Sequence, residues 1–169
     1  SIGGKAVMTS PDHERASDRC SQALSIIEKS EKKRFDIVVM VQGDEPMINS
    51  QMISEAITPM LKNEKINITN LLGQIADQEE FLDRNCIKVV CDKDSNALYF
   101  SREPIPTQSG IKEIPMGKQI CVIPFRRDFL ITYNKLSPTP LEKIESIDML
   151  RVLEHGLDVF MVKTRHNTF

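Results

Sequence analysis

Asp44 and Glu45, preceded by Gln42 and Gly43 and followed by Pro46, are the residues of this chain best suited by type and spacing to hold a hard cation. Magnesium takes oxygen ligands, usually one or two carboxylates with phosphates and water completing the shell. The pair therefore suggests nucleotide chemistry. Gln42 adds an amide that can reach a ligand without adding charge. A solvated acidic turn would look the same, and spacing alone leaves both readings open.

The pair must be positioned by what precedes it. Ile37-Val38-Val39-Met40-Val41 is an unbroken apolar run, which predicts a short strand buried on both faces, as in a parallel sheet covered by helices. Gly43 turns the chain at the carboxyl end of that strand, and Pro46 halts the pairing. In open α/β sheets ligands bind at that edge.

Two other groups carry charge at useful places. His13, Arg15, Ser17, Asp18 and Arg19 fall on or before the first turn of a helix predicted over residues 14–29, capped by Asp12 or Ser10. Free N–H groups and cations there can hold an anion or a base, though such residues also serve as ordinary surface. Arg102 leaves a strand beside Ser101 and can grip a carboxylate or phosphate by two prongs, or form a rim ion pair.

The remaining elements alternate between the two periods. Asn49 or Ser50 caps a helix with an apolar stripe of Met52, Ile53, Ala56, Ile57, Met60 and Leu61. A strand is predicted over residues 66–72, an acid-rich turn of helix within 76–85, and a β-hairpin over 87–101 with its tip at Asp92 to Asn96. Residues 107–117 read as a loop, 119–124 as a strand ended by Pro124, and 126–133 as a short helix. One helix from Leu141 to His155, stopped by Gly156, and a strand over 159–162 complete the pattern.

Composition sets the class. With 169 residues, 40% apolar and 27% charged, the chain can build one domain with a sizeable core. A net charge of −2 without a basic patch gives a nucleic-acid partner little support. No apolar run reaches membrane-spanning length, and the four cysteines show no metal or disulfide spacing, so the expected compartment is the cytoplasm with no membrane partner.

Taken in order, Val41-Gln42-Gly43-Asp44-Glu45-Pro46, Lys88-Val89-Val90, Ala97-Leu98-Tyr99-Phe100-Ser101-Arg102, Pro138-Thr139-Pro140-Leu141-Glu142 and Leu150-Arg151-Val152-Leu153 resemble the 3-deoxy-manno-octulosonate cytidylyltransferases, also called CMP-Kdo synthetases. The resemblance implies an α/β fold: a mostly parallel, Rossmann-like nucleotidyltransferase sheet flanked by helices, with a β-hairpin region on the sugar and dimer side. It implies a homodimeric enzyme that moves CMP from CTP to an eight-carbon acidic sugar for lipopolysaccharide synthesis, with Mg2+ as cofactor. By motif, Asp44 corresponds to a magnesium ligand and catalytic residue, and Arg102 to the arginine closing the sugar side. Gln42, Gln119, Glu142 and Glu145 correspond to the sugar side, and His13, Ser17, Asp18 and Arg19 to the nucleotide loop.

Three segments depart from the family pattern. Arg15-Ala16 replace Ser-Gly in the nucleotide loop, Gln119 and Cys121 replace a His and a Gly, and Met149 stands where Gln often precedes Leu-Arg. The last two lie on the sugar side, so the acceptor is expected to be Kdo or a modified relative such as an 8-amino sugar. The family's triphosphate loop and its second magnesium aspartate have no counterpart within residues 1–169, which makes the chain a partial nucleotidyltransferase domain expected to be inactive alone. The alternative is a non-catalytic dimerisation or sugar-binding remnant of that fold.

Overall fold

The structure, a computed structural model, describes residues 3–43, 45–107 and 116–166. Along the chain these form α1 (Ala16–Glu31), β1 (Ile37–Val41), α2 (Ser50–Lys62), β2 (Thr69–Gly73), α3 (Gln78–Leu82), β3 (Lys88–Cys91) and β4 (Ala97–Ser101). There follow β5 (Met116–Ile120), β6 (Val122–Arg126), α4 (Arg127–Tyr133), α5 (Pro140–Glu145), α6 (Met149–Glu154) and β7 (Phe160–Lys163).

The alternation of strand and helix expected of an α/β chain is present, and its sheet is mixed. β5 lies between β3 and β2, antiparallel to both, while β2 runs parallel to β7 and β4 closes the far edge as the hairpin partner of β3. β1 pairs antiparallel with β6 from Ile37 opposite Arg126 to Val41 opposite Val122. A bridge between Ile68 and Phe125 joins β6 to the chain entering β2. β1, β2 and β7 therefore share one direction, and β6 is inserted antiparallel between β1 and the chain entering β2.

Local chemistry explains the elements that match expectation. The Asn49 side chain accepts from Met52 N at 3.0 Å and starts α2, whose Met52, Ala56 and Met60 are buried. At the hairpin tip Asp92 Oδ1 accepts from the Asp94 and Asn96 N–H groups at 2.9 and 2.8 Å, and Ser95 takes a left-handed φ of 69°. The main core gathers Phe100, Phe125, Leu130, Tyr133, Leu150 and Val89, and a smaller one lies under α2 around Leu71 and Ile120.

Four expectations are corrected. β1 is not buried on both faces: Met40 is buried, but Val41 is 43% exposed, because among the described strands β1 pairs with β6 alone. Pro124 does not end its strand but sits within β6 opposite Val39. Arg126 N donates to Asn67 O, and N–H groups two residues apart point the same way along a strand, so the missing N–H of Pro124 faces β2 and costs the β1 ladder nothing. The helix of residues 14–29 starts later, at Ala16, and neither Ser10 nor Asp12 caps it; Asp12 N and its carboxylate bond Ser10 Oγ instead. The helix expected over 141–155 is two helices, broken at Ser146 in the left-handed region with φ 56°.

Candidate functional site

A cavity of about 910 Å³ opens at the carboxyl end of β1, between the α1 entry, the β5–β6 kink, α3, the β4 exit and the α5–α6 break. β1 delivers Gln42 to it, as expected. The turn there is anchored to the kink: Gln42 N donates to Cys121 O at 3.3 Å, and Glu45 Oε1 accepts from Cys121 N at 3.1 Å. Gln42 and Glu45 both line the cavity. Asp44, on which the metal expectation centres, lies outside the described residues.

Gln119 reaches the same cavity from β5. Its amide donates to Asn70 Oδ1 at 2.6 Å, and the buried Asn70 in turn donates to Ile120 O at 2.7 Å, so the Gln119 side chain is held in one orientation. Beside it Lys118, only 6% exposed, is ion-paired with Glu80 of α3. Sequence reasoning did not single out this pair, since its members lie 38 residues apart.

Arg102 is the cation of the opposite wall. Its Nε donates to Glu145 O at 2.7 Å, Nη1 to Arg84 O at 3.0 Å and Nη2 to Ser146 O at 3.5 Å. Each of those bonds ends on a neutral carbonyl. A guanidinium has five N–H groups, so among the described residues two remain for a ligand and no carboxylate is bonded to the side chain. Glu145 does not face the cavity: its carboxylate accepts from Arg102 N at 2.9 Å, Ser101 Oγ at 3.0 Å and Tyr99 Oη at 3.3 Å. It fixes the β4 exit on which Arg102 stands.

Glu142 is also turned away. With 0% exposure it completes a capping box with Thr139, and its carboxylate receives Arg151 Nε at 2.8 Å, Arg151 Nη2 at 2.6 Å and Arg15 Nη2 at 2.9 Å. Burial alone would raise its carboxyl, but Arg151, the Thr139 N–H and Arg15 outweigh that and hold it below the ordinary range. Arg15 also pairs with Asp148, and both of these line the cavity. There burial wins and pushes the Asp148 carboxyl up, against the pull of Arg15. The expectation that Glu142 and Glu145 meet the sugar directly is thus corrected: one supports Arg15, the other Arg102.

The nucleotide-loop residues are placed differently from expectation too. Glu14, Arg15 and Ala16 line the cavity, whereas His13, Ser17, Asp18 and Arg19 do not. Arg19 spends its guanidinium on the loop before the helix, donating to Thr9 Oγ1, Ser10 O and His13 O at 3.2, 3.1 and 2.9 Å. His13 Nε2 lies 2.8 Å from Gln22 Oε1, and Ser17 is buried with a hydroxyl that bonds nothing among the described residues. Asp18 is half-buried in the first turn of α1. Starting the helix at Ala16 rotates these side chains off the cavity and leaves Arg15 at its lip.

This geometry has relatives. The cytidylyltransferase family profile matches residues 1–160. The 3-deoxy-manno-octulosonate cytidylyltransferase of Fusobacterium nucleatum subsp. nucleatum is 37% identical over 166 residues, covering 98% of this chain and 66% of that protein. The protein of the same name from Geobacter sulfurreducens is 38% identical over 178 residues, with 99% and 69% covered. Among solved structures, CMP:2-keto-3-deoxy-manno-octonic acid synthetase complexed with CTP superposes with a TM-score of 0.83 at 30% identity, over 98% of this chain and 66% of that one. The chain thus spans about two thirds of the length of such relatives. By matched length, identity and superposed fold together, it belongs to the cytidylyltransferase family and, within it, to the 3-deoxy-manno-octulosonate cytidylyltransferases.

Proposed function

We propose that the chain serves cytidylyl transfer: CMP passes from CTP to the anomeric hydroxyl of Kdo or a closely related eight-carbon acidic sugar, pyrophosphate leaves, and the product feeds lipopolysaccharide synthesis. The observation that carries this reading is the convergence of Gln42, Gln119 and Arg102, from three separate segments, on one polar cavity at the carboxyl end of β1. The work of such a site is to bring a weak hydroxyl nucleophile in line with an α-phosphate. The two N–H groups Arg102 retains suit the sugar carboxylate, and the Gln42 amide with the oriented Gln119 amide suits its hydroxyls.

The donors described at the end of β1, the Gln42 amide and the Glu45 carboxylate, are hard oxygens, which suits magnesium and not a soft ion. In this proposal Asp44 is the ligand between them in sequence. When bound, the ion neutralises charge developing on the transferred phosphoryl group. The residues beside it keep separate tasks: Arg102 orients the acceptor, Arg15 shapes the wall at the α1 entry, and Lys118 with Glu80 closes the cavity floor. His13, Ser17, Asp18 and Arg19 build the scaffold of that entry. Homodimerisation and a cytoplasmic location complete the proposal.

Calorimetric titration of CTP with and without magnesium, followed by addition of the acidic sugar and assay of released pyrophosphate, tests this reading. Magnesium-dependent CTP binding is expected. Replacing the guanidinium in Arg102→Met should weaken sugar binding by roughly ten- to a hundredfold, the worth of a charge-assisted hydrogen bond, with CTP affinity kept. Binding of the sugar without any binding of CTP would overturn the transferase reading in favour of a sugar-binding remnant.

A further inference from the structure

Lys88 opens β3 with a side chain that is 0% exposed. Its Nζ donates to Asp83 O at 2.7 Å, Cys86 O at 2.6 Å and Arg102 O at 2.6 Å. An ammonium carries three N–H groups; all three are used, and none ends on a carboxylate. A cation buried this way carries a desolvation cost that an apolar side chain at the same strand position would avoid. What the lysine does that a hydrocarbon cannot is draw three carbonyls, from two chain segments, to one point.

Those carbonyls share a location. Asp83, Cys86 and Arg102 all line the cavity, and Arg102 itself donates to Arg84 O within the same 83–86 turn. The turn and the β4 exit are therefore cross-tied twice, once by the Lys88 ammonium and once by the Arg102 guanidinium. Glu145 holds the same exit from the α5 side through Arg102 N and Ser101 Oγ. Arg102 is thereby fixed at its backbone from two directions, and its free N–H groups keep one aim.

We propose that Lys88 is a positioning residue that sets the Arg102 wall of the cavity and so governs affinity for the acidic acceptor, not for the nucleotide. The identity of that acceptor rests on the cytidylyltransferase reading; the tie itself does not. Lys88 touches no substrate and acts through Arg102. The nucleotide end, at the α1 entry, makes none of these contacts.

Lys88→Met removes the ammonium at similar length, and Lys88→Gln, which keeps two donors, serves where the methionine variant yields no folded protein. Hydrogen exchange should quicken in peptides covering 83–87 and 101–104, with β2 and β7 protected as in the parent. The dissociation constant for the acidic sugar should rise at least tenfold while that for CTP stays within twofold. Equal weakening of both ligands, or a lowered melting temperature with unchanged exchange at 83–87 and 101–104, would overturn the proposal. Should the parent chain bind neither ligand, the transferase reading fails, and the exchange pattern by itself upholds or overturns the tie.

Discussion

Glu142 shows how a residue type can be legible while its partner is not. A carboxylate just after a Pro-rich connector resembles a sugar ligand, yet Thr139-Pro140-Leu141-Glu142 is also the spacing of a capping box, and that is the role the structure gives it together with Arg151 and Arg15. Glu142→Gln takes the carboxylate partner from the buried Arg151 and leaves Arg15 with Asp148, and breaking such a buried pair costs about 3–5 kcal/mol. Its carboxyl is held below the ordinary 4.5, so the stabilisation is full above that value and is lost as pH falls through the depressed one. Asp148, whose carboxyl is pushed up, has the opposite sign: its contribution is present at low pH and is lost as pH rises. Urea denaturation from pH 7 downward should therefore show the gap between parent and Glu142→Gln narrowing below about pH 4.5, and a gap constant with pH would contradict the assignment.

Elements were legible where a single side chain sets them. The Asn49 cap and the Asp92 turn could be read from types and spacing because each acts within a few residues. The break between α5 and α6 could not, since Ser146 is an unremarkable residue in a left-handed conformation that glycine would favour. Relieving it in Ser146→Gly should stabilise the chain by about 1 kcal/mol, raising the melting temperature by roughly 2–4 °C. Gly117 makes the opposite case. A Cβ there would stand 2.3 Å from Gly73 O and 2.9 Å from Leu72, where β5 crosses from β3 to β2. Gly117→Ala forces those strands apart and should destabilise by about 1–3 kcal/mol, read as a lower urea midpoint with an unchanged slope.

At the scale of the molecule, the alternation of periods pointed to one α/β unit, but strand order did not follow from it, because β6 beside β1 and β5 between β3 and β2 depend on pairings distant in sequence. The same order exposes an edge. β4 ends the five-stranded sheet, and Leu98 on it is 62% exposed. Ile144 on α5 is 79% exposed, and the Tyr99–Glu145 contact puts the two elements at one corner. An apolar sheet edge beside an apolar helix position is the kind of surface a two-fold partner covers, each copy presenting the same patch to the other. The proposed homodimer would bury both side chains, so charges introduced there should be tolerated by the monomer and not by the pair. Sedimentation velocity of the parent should give a dimer, and the Leu98→Glu, Ile144→Glu double variant a folded monomer with unchanged far-ultraviolet circular dichroism. A parent that sediments as a monomer at every concentration removes the homodimer from the proposal. A dimer indifferent to both charges moves its interface away from the β4 edge.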